Sequence, residues 1–278
     1  MSYGETEAVR GIDLEVARGE IFAFLGPNGA GKTTTVEILE GYRKRTGGEV
    51  LVLGEDPATA GRGWRDRIGI VLQSNSLDPY LTVRESIELY AGYFSHPRSV
   101  EETIALVGLE GKADDRARKL SGGQQRRLDV GMALVGDPEL LFLDEPTTGF
   151  DPSARRQFWD VIESLRELGK TIFLTTHYMD EAQRLADRVT IIAAGRIVAQ
   201  GTPEDLGERE KAAATIRYRD ARGEEVTIET LDPVRELNRI TGEAMERGED
   251  LDGLEVTRPS LEDVYLDLTS TAEGVAGE

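Results

Sequence analysis

Short apolar runs alternate along this chain with longer amphipathic stretches. Four of these runs have the length and composition of buried strands: Ile21–Leu25, Ile68–Leu72, Glu139–Leu143 and Thr171–Thr175. The stretches between them carry helical periodicity, for example at Ser153–Leu168. Because strands separated by helices are typical of α/β proteins, the pattern predicts a mostly parallel sheet with flanking helices.

Two further features of the pattern modify this core. Strict alternation of apolar and polar residues at Ile12–Val16 predicts a half-buried strand, and Val50–Leu53 predicts another. Because short turns join the first strands, we expect an antiparallel β flank. Residues from about 75 to 135 are helical in pattern, with Thr82 and Glu85 placed as a capping box. This interval is expected to form a helical subdomain.

A polar stretch at Leu206–Ala214 marks a domain boundary. We therefore expect one domain over residues 1–207 and a small α+β domain over residues 208–278. In the second domain the predicted strands are Thr215–Arg219, Glu225–Thr230 and Leu254–Thr257, and the predicted helices are Pro233–Arg247 and an amphipathic helix from Ser260.

Composition narrows the classes of function. The chain has 278 residues and a formal net charge of −19, which disfavours nucleic acid and anionic lipid as partners. It has no cysteine, so disulfides and thiolate metal sites are excluded. No apolar run approaches the roughly 18 residues of a membrane span, and no secretory segment follows Met1. We expect a cytoplasmic protein whose association with a membrane would run through a protein partner.

The most specific motif directly follows the strand Ile21–Leu25. Residues 26–34 read GPNGAGKTT, which matches the phosphate-binding loop pattern G-x-x-x-x-G-K-[ST] at every fixed position. Glycines let backbone N–H groups converge on a phosphate, and the helix that begins at Lys32 favours an anion at its N-terminus. Lys32 would reach the β- and γ-phosphates of a nucleotide, and the Thr33 hydroxyl would bind Mg²⁺. The expected nucleotide contacts are Gly26, Pro27, Asn28, Gly29, Ala30, Gly31, Lys32, Thr33 and Thr34.

A second apolar strand ends in two adjacent acidic residues, Asp144 and Glu145. Neighbouring carboxylates at a strand end point in different directions, so they can take different roles. Asp144 is expected to hold Mg²⁺, and Glu145 is expected to act as the general base that activates the attacking water. Beside a phosphate-binding loop, this pair favours nucleotide hydrolysis over an ordinary acidic turn.

The stretch that decides between families is Leu120–Gln124, which reads LSGGQ and lies between the phosphate-binding loop and the acidic strand. It resembles the signature of ABC-type ATPases. A hydroxyl residue and two glycines at a helix start make a second phosphate-binding nest. In that family two ATPase domains pack head to tail, and each ATP lies between the loop of one domain and the signature of the other. The resemblance therefore implies a dimer, expected to be a homodimer, in which Ser121, Gly122, Gly123 and Gln124 contact the nucleotide.

Further residues match this family in order along the chain. Gln73, after the strand Ile68–Leu72, resembles the glutamine that contacts Mg²⁺ and the attacking water. Asp151, in PTTGFD, resembles the aspartate that bridges the dimer at the nucleotide site. His177, in TTH, resembles the switch histidine that contacts the γ-phosphate. The resemblance thus implies Glu145, His177, Lys32 and Gln73 as catalytic residues and Thr33, Gln73 and Asp144 as metal ligands.

Tyr3 resembles the aromatic residue that stacks on adenine in this family. Family members usually carry another strand before this tyrosine, whereas this chain has only Met1-Ser2. Either the start is truncated or the flank is short. Tyr3 is kept as an expected nucleotide contact.

The resemblance implies an α/β fold with a P-loop NTPase core and the activity of an ATP-hydrolysing subunit of a membrane transporter. The ending PSLEDVYLDLT resembles the drug-resistance branch of exporters, in which the ATPase and the transmembrane permease are separate chains. The protein would then lie on the cytoplasmic face of the cell membrane through its permease subunit.

Two alternatives compete with this interpretation. A soluble ABC-type ATPase of translation usually carries two cassettes in one chain, and one of DNA repair splits its motifs by a long coiled coil. This sequence has one cassette and no heptads between its motifs. A P-loop kinase that phosphorylates a small metabolite would leave LSGGQ unexplained. The transporter subunit is therefore the favoured prediction.

Overall fold

The computed structural model describes residues 1–3, 6–73, 77–207, 214–219, 223–248, 251–257, 262–263, 265–266 and 269. The chain divides into two compact units, Met1–Thr202 together with Leu268–Glu278, and Pro203–Asp267. The first unit carries the glycine-rich loop, the LSGGQ segment and the acidic strand end.

Strands and helices alternate along the first unit, as the apolar pattern predicts. In chain order its strands are β1 (Ser2–Tyr3), β2 (Thr6–Glu7), β3 (Ile21–Leu25), β4 (Ile68–Val71), β5 (Leu140–Asp144), β6 (Thr171–Thr176), β7 (Arg188–Ala193) and β8 (Arg196–Gly201). Its helices are α1 (Lys32–Leu39), α2 (Arg62–Arg65), α3 (Val83–Ala91), α4 (Val100–Leu106), α5 (Gly122–Leu134), α6 (Pro152–Glu167) and α7 (Met179–Leu185). Short 3₁₀ turns at Glu110–Lys112 and Ala117–Lys119 precede α5.

Six of the described strands form one sheet in the order β4–β5–β6–β3–β7–β8. Every neighbouring pair is parallel except β7 and β8, which form an antiparallel hairpin around Ala194-Gly195. This arrangement confirms the predicted α/β class with a mostly parallel sheet. Because β4, β5, β6 and β3 run in the same direction side by side, their carboxyl ends share one edge.

Alternate side chains of the central strands enter two apolar clusters, one on each face of the sheet. In β5, Leu141 and Leu143 belong to one cluster, whereas Phe142 belongs to the other. In the second cluster the rings of Phe173 and Phe22 pack with their centroids 5.3 Å apart. Because both faces are covered, these strands have continuous apolar sequences instead of alternating ones.

The helical region packs α3, α4 and α5 against one another. Thr82 caps α3: its hydroxyl accepts from the N–H of Glu85, and the Glu85 carboxylate accepts from the N–H of Thr82 at 2.8 Å. The predicted capping box is therefore present. Gly131 of α5 allows a close approach, since a Cβ there would lie 3.2 Å from Cδ1 of Ile87 on α3. The helix that follows LSGGQ is thus packed tightly into this region.

The predicted strand at Ile12–Val16 is wrong, because residues 8–17 contain no strand. The three apolar side chains of this segment are half-buried and the two acidic ones are exposed, so the alternation does describe an extended chain with one face on the core. Residues of this segment and of 47–51 line one cavity of about 940 Å³, and no β-ladder joins the two segments. Hydrophobic alternation sets which face is buried, but a strand also needs a neighbour within hydrogen-bonding distance.

The predicted strand at Val50–Leu53 is also wrong. Only Val52 takes part in a β-bridge, with Glu55, and the bridge is isolated. Among the described residues, the antiparallel flank consists of β1 paired with β2.

The second unit is a small α+β arrangement in the part of it that the structure describes. Its elements are α8 (Pro203–Gly207), β9 (Ala214–Arg219), β10 (Glu225–Thr230), α9 (Pro233–Arg247) and β11 (Asp252–Thr257). The strands form an antiparallel sheet in the order β10–β9–β11, on which α9 packs with Ile240 and Ala244 buried. The predicted helix from Ser260 lies outside the described residues except at 262–263, 265–266 and 269, which are helical.

Among the helices in the described ranges, none is both long enough and apolar enough to cross a bilayer.

Candidate active site

Four neighbouring strands end at one crevice. Along the carboxyl edge of the sheet, β3 leads into the glycine-rich loop, β6 into His177, β5 into Glu145 and β4 towards Gln73. The register aligns the strand ends, for example Asp144 of β5 with Thr175 of β6. Residues far apart in the sequence are therefore brought to the edge at which parallel α/β sheets bind their ligands.

Two glycines of the glycine-rich loop stand where a side chain would collide with neighbouring backbone. A Cβ on Gly26 would lie 2.4 Å from the carbonyl oxygen of Ile192 on β7, and one on Gly31 would lie 2.5 Å from that of Ala8. Gly31 also has a φ of +107°, which residues with a side chain rarely adopt. A turn of bare backbone meets the requirement for N–H groups to surround a phosphate.

Lys32 opens α1 and lies beneath the loop. Its Nζ donates to the carbonyl oxygens of Gly26 at 2.6 Å and Pro27 at 3.2 Å, and the residue is only 7% exposed. Burial lowers the pKa of Lys32, while the carboxylates of Glu145 and Asp144 raise it. The amine is thus held on the loop, within the electrostatic influence of the acidic strand end.

The rest of the predicted loop contacts lie at its tip and on the first turn of α1. Asn28 and Gly29 are exposed, whereas Ala30 is buried beneath them. Thr33 is exposed and Thr34 half-buried on the turn of α1 where backbone N–H groups have no intrahelical acceptor. The loop and the helix start therefore present N–H and hydroxyl groups together.

Thr175 of β6 holds both acidic residues. Its hydroxyl donates to Oδ1 of Asp144 and accepts from the N–H of Glu145 at 3.0 Å, and its carbonyl oxygen accepts from the same N–H at 3.1 Å. Glu145 has a φ of +42°, a region that residues other than glycine rarely occupy. These bonds from β6 fix the turn. The Asp144 carboxylate then accepts from Thr175, whereas the Glu145 carboxylate accepts from other side chains.

Three side chains from different parts of the chain converge on Oε2 of Glu145. The amide of Gln73 donates to it at 3.1 Å and the hydroxyl of Thr148 at 3.3 Å, and Nδ1 of His177 lies 3.4 Å away. The His177 ring stacks on Tyr178 with centroids 4.1 Å apart. Gln73 and His177 thus approach one carboxylate oxygen from the strands on either side of β5.

The LSGGQ segment forms a capping box at the start of α5. The Ser121 hydroxyl accepts from the N–H of Gln124 at 3.3 Å, and the Gln124 side chain accepts from the N–H of Ser121 at 2.9 Å. Ser121 and Gly122 are exposed, and the N–H groups of this first turn have no intrahelical acceptor. The segment is therefore an exposed helix start whose N–H groups can receive an anion.

Asp151 caps α6 close to that helix start. Its carboxylate accepts from the N–H groups of Ala154 at 3.0 Å and Ser153 at 2.9 Å, and these bonds lower its pKa. A Cβ on Gly123 would lie 3.1 Å from that of Ala154, so the beginnings of α5 and α6 are in contact. Tyr3 belongs to β1, and its side chain is outside what the structure describes.

The glycine-rich loop, LSGGQ and the acidic strand all fall within one family match. The family profile described as ABC transporter matches residues 9–148. The chain belongs to the ABC transporter family.

Relatives that align over most of the chain agree with this assignment. Nod factor export ATP-binding protein I from Burkholderia orbicola (strain AU 1054) is 39% identical, over 96% of this chain and 93% of that protein. The protein of the same name from Paraburkholderia xenovorans (strain LB400) is 46% identical, over 74% of this chain and 69% of that protein. The ABC transporter ATPase predicted from the motifs is thus confirmed.

Solved structures of ABC cassettes share the fold. The dimeric structure of a post-hydrolysis state of the ATP-binding cassette MJ0796, bound to ADP and Pi, aligns with a TM-score of 0.64 and 27% identity, over 73% of this chain and 94% of that chain. The ADP conformation of MJ1267, a cassette of an ABC transporter, aligns with a TM-score of 0.66 and 25% identity, over 74% and 89%. The protein is therefore an ATP-binding ABC ATPase, and a role in translation or DNA repair is not favoured.

The structure adds residues to this ABC site that the sequence does not indicate. Thr175 and Thr148 bond to the acidic pair, and Arg126 is buried just behind it. Burial, together with the charges of Asp144 and Glu37, raises the pKa of Glu40 at the end of α1 to about 7. Thr175, Thr148 and Arg126 lie in or beside the TTH, PTTGFD and LSGGQ motifs, but no motif assigns them these contacts, which only the folded chain makes.

Proposed function

We propose that this ABC ATPase hydrolyses Mg-ATP in two composite sites between two copies of the chain, and that the cycle drives export through a separate membrane-spanning subunit. The observation that carries this proposal is the surroundings of Glu145, where Gln73 and His177 meet one carboxylate oxygen. A base oriented in this way, at the sheet edge that also carries a phosphate cradle, is arranged for hydrolysis.

The residues present fit a magnesium nucleotide. A Cβ on Gly26 or Gly31 would collide with the carbonyl oxygen of Ile192 or Ala8, so glycine at these positions lets the loop curl closely against the rest of the fold. Thr33, Asp144 and Gln73 offer the oxygen ligands that Mg²⁺ prefers. In the described part of the chain, no group of three or more His, Cys, Asp or Glu side chains is arranged to hold a metal. When bound, the ion would neutralise charge on the transferred phosphate.

The other site residues have distinct roles in this proposal. Lys32 would exchange the loop carbonyls for phosphate oxygens. Oε2 of Glu145 would take a proton from the attacking water. Gln73 and His177 would orient the carboxylate and the water. Because the turn at Glu145 is fixed by Thr175, the base needs little reorganisation as the reaction proceeds.

The second half of each site would come from the partner copy. The first turn of the helix capped by Ser121 offers the N–H groups of Gly122 and Gly123, which have no intrahelical acceptor, and Asp151 caps the adjoining helix. We place this surface on the γ-phosphate held by the other copy's loop, with Tyr3 stacking on adenine. The dimeric structure of the related cassette MJ0796 with ADP and Pi supports this arrangement.

The membrane partner is proposed from the relatives. They are named as ATP-binding proteins of an export system. We extend that role to this chain, which would sit on the cytoplasmic face of the membrane through a separate permease. Residues 208–278 would form an accessory domain beside an ATPase domain over residues 1–207.

Two measurements test the proposal. Phosphate release from Mg-ATP should show a specific activity that rises with protein concentration, because the complete site needs two copies. A specific activity independent of concentration, from a chain that stays monomeric at saturating Mg-ATP, would contradict the dimer. The tagged chain should also purify from detergent-solubilised membranes in stoichiometric amount with a membrane-spanning protein, and recovery only from the soluble fraction would contradict the permease.

A further inference from the structure

Arg126 lies on the buried face of α5, two residues after LSGGQ, and is 4% exposed. Its guanidinium donates to three main-chain carbonyl oxygens: Nη1 to Leu72, Nη2 to Asp144 at 2.7 Å and Nε to Pro146 at 3.1 Å. Leu72 directly precedes Gln73, and the other two acceptors belong to the residues on either side of Glu145. One side chain therefore holds the backbone beside both members of the Gln73–Glu145 contact.

The choice of arginine has a physical reason. Its donors form a rigid planar fork, so three carbonyl oxygens bonded to it are fixed in position relative to one another. A lysine at the same place would present one rotatable ammonium on a flexible stem. Asp129, whose Oδ2 lies 3.9 Å from Nη1, partly compensates the buried charge.

We propose that Arg126 is a positioning residue that sets the geometry between Gln73 and Glu145. Because Arg126 lies on the helix that begins at Ser121, it also links the position of the LSGGQ helix to the base within the same copy. A displacement of α5 changes three carbonyl contacts at once and so reorients the pair. The inference rests on the proposed role of Glu145 in hydrolysis.

The test compares Arg126→Lys with Arg127→Lys in the full chain. Arg127 is a matched control, since its Nη1 donates to the carbonyl oxygens of Val107 at 3.4 Å and Gly108 at 3.1 Å, outside the site. For R126K we expect kcat to fall at least about tenfold and the Kd for ATP to stay within about threefold, as for loss of one to two charge-assisted hydrogen bonds. R127K should keep kcat within about threefold. A kcat for R126K within about twofold of the wild type would overturn the proposal.

A double-mutant cycle with Gln73→Ala distinguishes positioning from general destabilisation. If Arg126 acts by setting the Gln73–Glu145 contact, R126K will cost much less in kcat when Gln73 is already alanine. If R126K lowers kcat by the same factor whether residue 73 is glutamine or alanine, Arg126 has a merely structural role and the proposal is overturned. Should R126K fail to fold, the same cycle is run with R126Q/D129N, which removes the buried ion pair as a whole, and with D129N as its control.

Glu145→Gln separates this inference from the proposed function. Wild-type hydrolysis by E145Q would overturn the role of Glu145 and the inference that depends on it. An inactive E145Q together with independent effects in the cycle would overturn the positioning role alone.

Discussion

The side-chain amide of Gln73 donates a hydrogen bond of 3.1 Å to Oε2 of Glu145, a residue 72 positions further along the chain. The two residues follow β4 and β5, which are parallel neighbours in the sheet. Their contact therefore depends on how these two strand ends sit beside each other. Any motion that shifts one end relative to the other will also turn the carboxylate that we propose as the base.

Glu145→Gln should bind ATP but lose turnover. The amide has the shape of the carboxylate but cannot accept a proton from water, so phosphate release should fall at least about 100-fold. The glycine-rich loop and Lys32 are unchanged, and we expect the Kd for ATP to stay within about threefold. An ATP-dependent dimer should then accumulate and be visible on gel filtration.

The matched control is Glu139→Gln, just before the other end of β5, where the carboxylate pairs with Arg67 at 2.6 Å. It should keep hydrolysis close to that of the wild type. Normal turnover by E145Q, with a monomer at saturating Mg-ATP, would rule out the proposed mechanism.

Ser121→Arg should impair hydrolysis and spare nucleotide binding by the single chain. The larger cation would fill the exposed helix start that we place on the partner's γ-phosphate, so kcat should fall at least about tenfold. Loss of the cap itself should lower stability by about 1 kcal/mol. Titration of a fluorescent ATP analogue at low protein concentration measures the binding of the monomer.

Ser99→Arg controls for the loss of a helix cap. Ser99 caps α4 as Ser121 caps α5, with its hydroxyl accepting from the N–H of Glu102. The two variants should lose similar stability, while S99R keeps its activity. Equal loss of binding and hydrolysis in S121R would mean that the partner copy does not supply the signature.

The sequence was informative where the chemistry is local. The glycine-rich loop, LSGGQ and the pair Asp144-Glu145 are each defined by a few consecutive residues, so their positions could be predicted before the fold was known. Their roles remain proposals. The order of strands could not be predicted, since no local pattern specifies that β6 lies between β5 and β3.

Long-range contacts explain the rest of what the sequence could not predict. Arg126 reaches acceptors 54, 18 and 20 positions away, and only the folded chain brings them to one guanidinium. The wrong prediction of a strand at Ile12–Val16 also arises because local sequence does not specify long-range pairing. The alternation in this segment correctly describes an exposed and a half-buried face, but a strand also needs hydrogen bonds to a second segment, which the alternation does not specify.

Thr175→Val should weaken the site without disturbing the sheet. Valine keeps the shape of threonine, but the bonds from the hydroxyl to Oδ1 of Asp144 and from the N–H of Glu145 are lost. We expect kcat to fall roughly tenfold, the effect of losing about 1.4 kcal/mol of hydrogen bonding in the transition state. Steady-state kinetics over a range of Mg²⁺ concentrations should also show that half-maximal activity requires a higher Mg²⁺ concentration than in the wild type.

Thr190→Val is the control, on β7 of the same sheet. The Thr190 hydroxyl is buried and has no hydrogen-bond partner among the described residues. Its replacement should leave activity unchanged and not lower the Tm. If T175V matches T190V in every respect, the Thr175 hydroxyl has no part in ordering the acidic pair.

Asp129→Asn should stabilise the protein more at high pH than at low pH. Burial raises the pKa of Asp129 to about 7, although Arg126 acts to lower it. In the unfolded chain the pKa of an aspartate is about 3.9. As the pH rises between these values the unfolded chain releases this proton and the folded protein retains it, so the stability contributed by Asp129 is lost and reaches its lowest level above about pH 7.

Asparagine stays neutral throughout, so D129N should escape this loss. The gain should be larger at pH 8 than at pH 5 by roughly 2 to 3 kcal/mol, which corresponds to a Tm difference of several degrees. Thermal unfolding of both proteins at the two pH values measures it, with Asp160→Asn on the exposed face of α6 as a control that should change neither Tm. An equal shift for D129N at pH 5 and pH 8 would mean that Asp129 is ionised in the fold, because only a carboxylate paired fully with Arg126 would stay charged across that range.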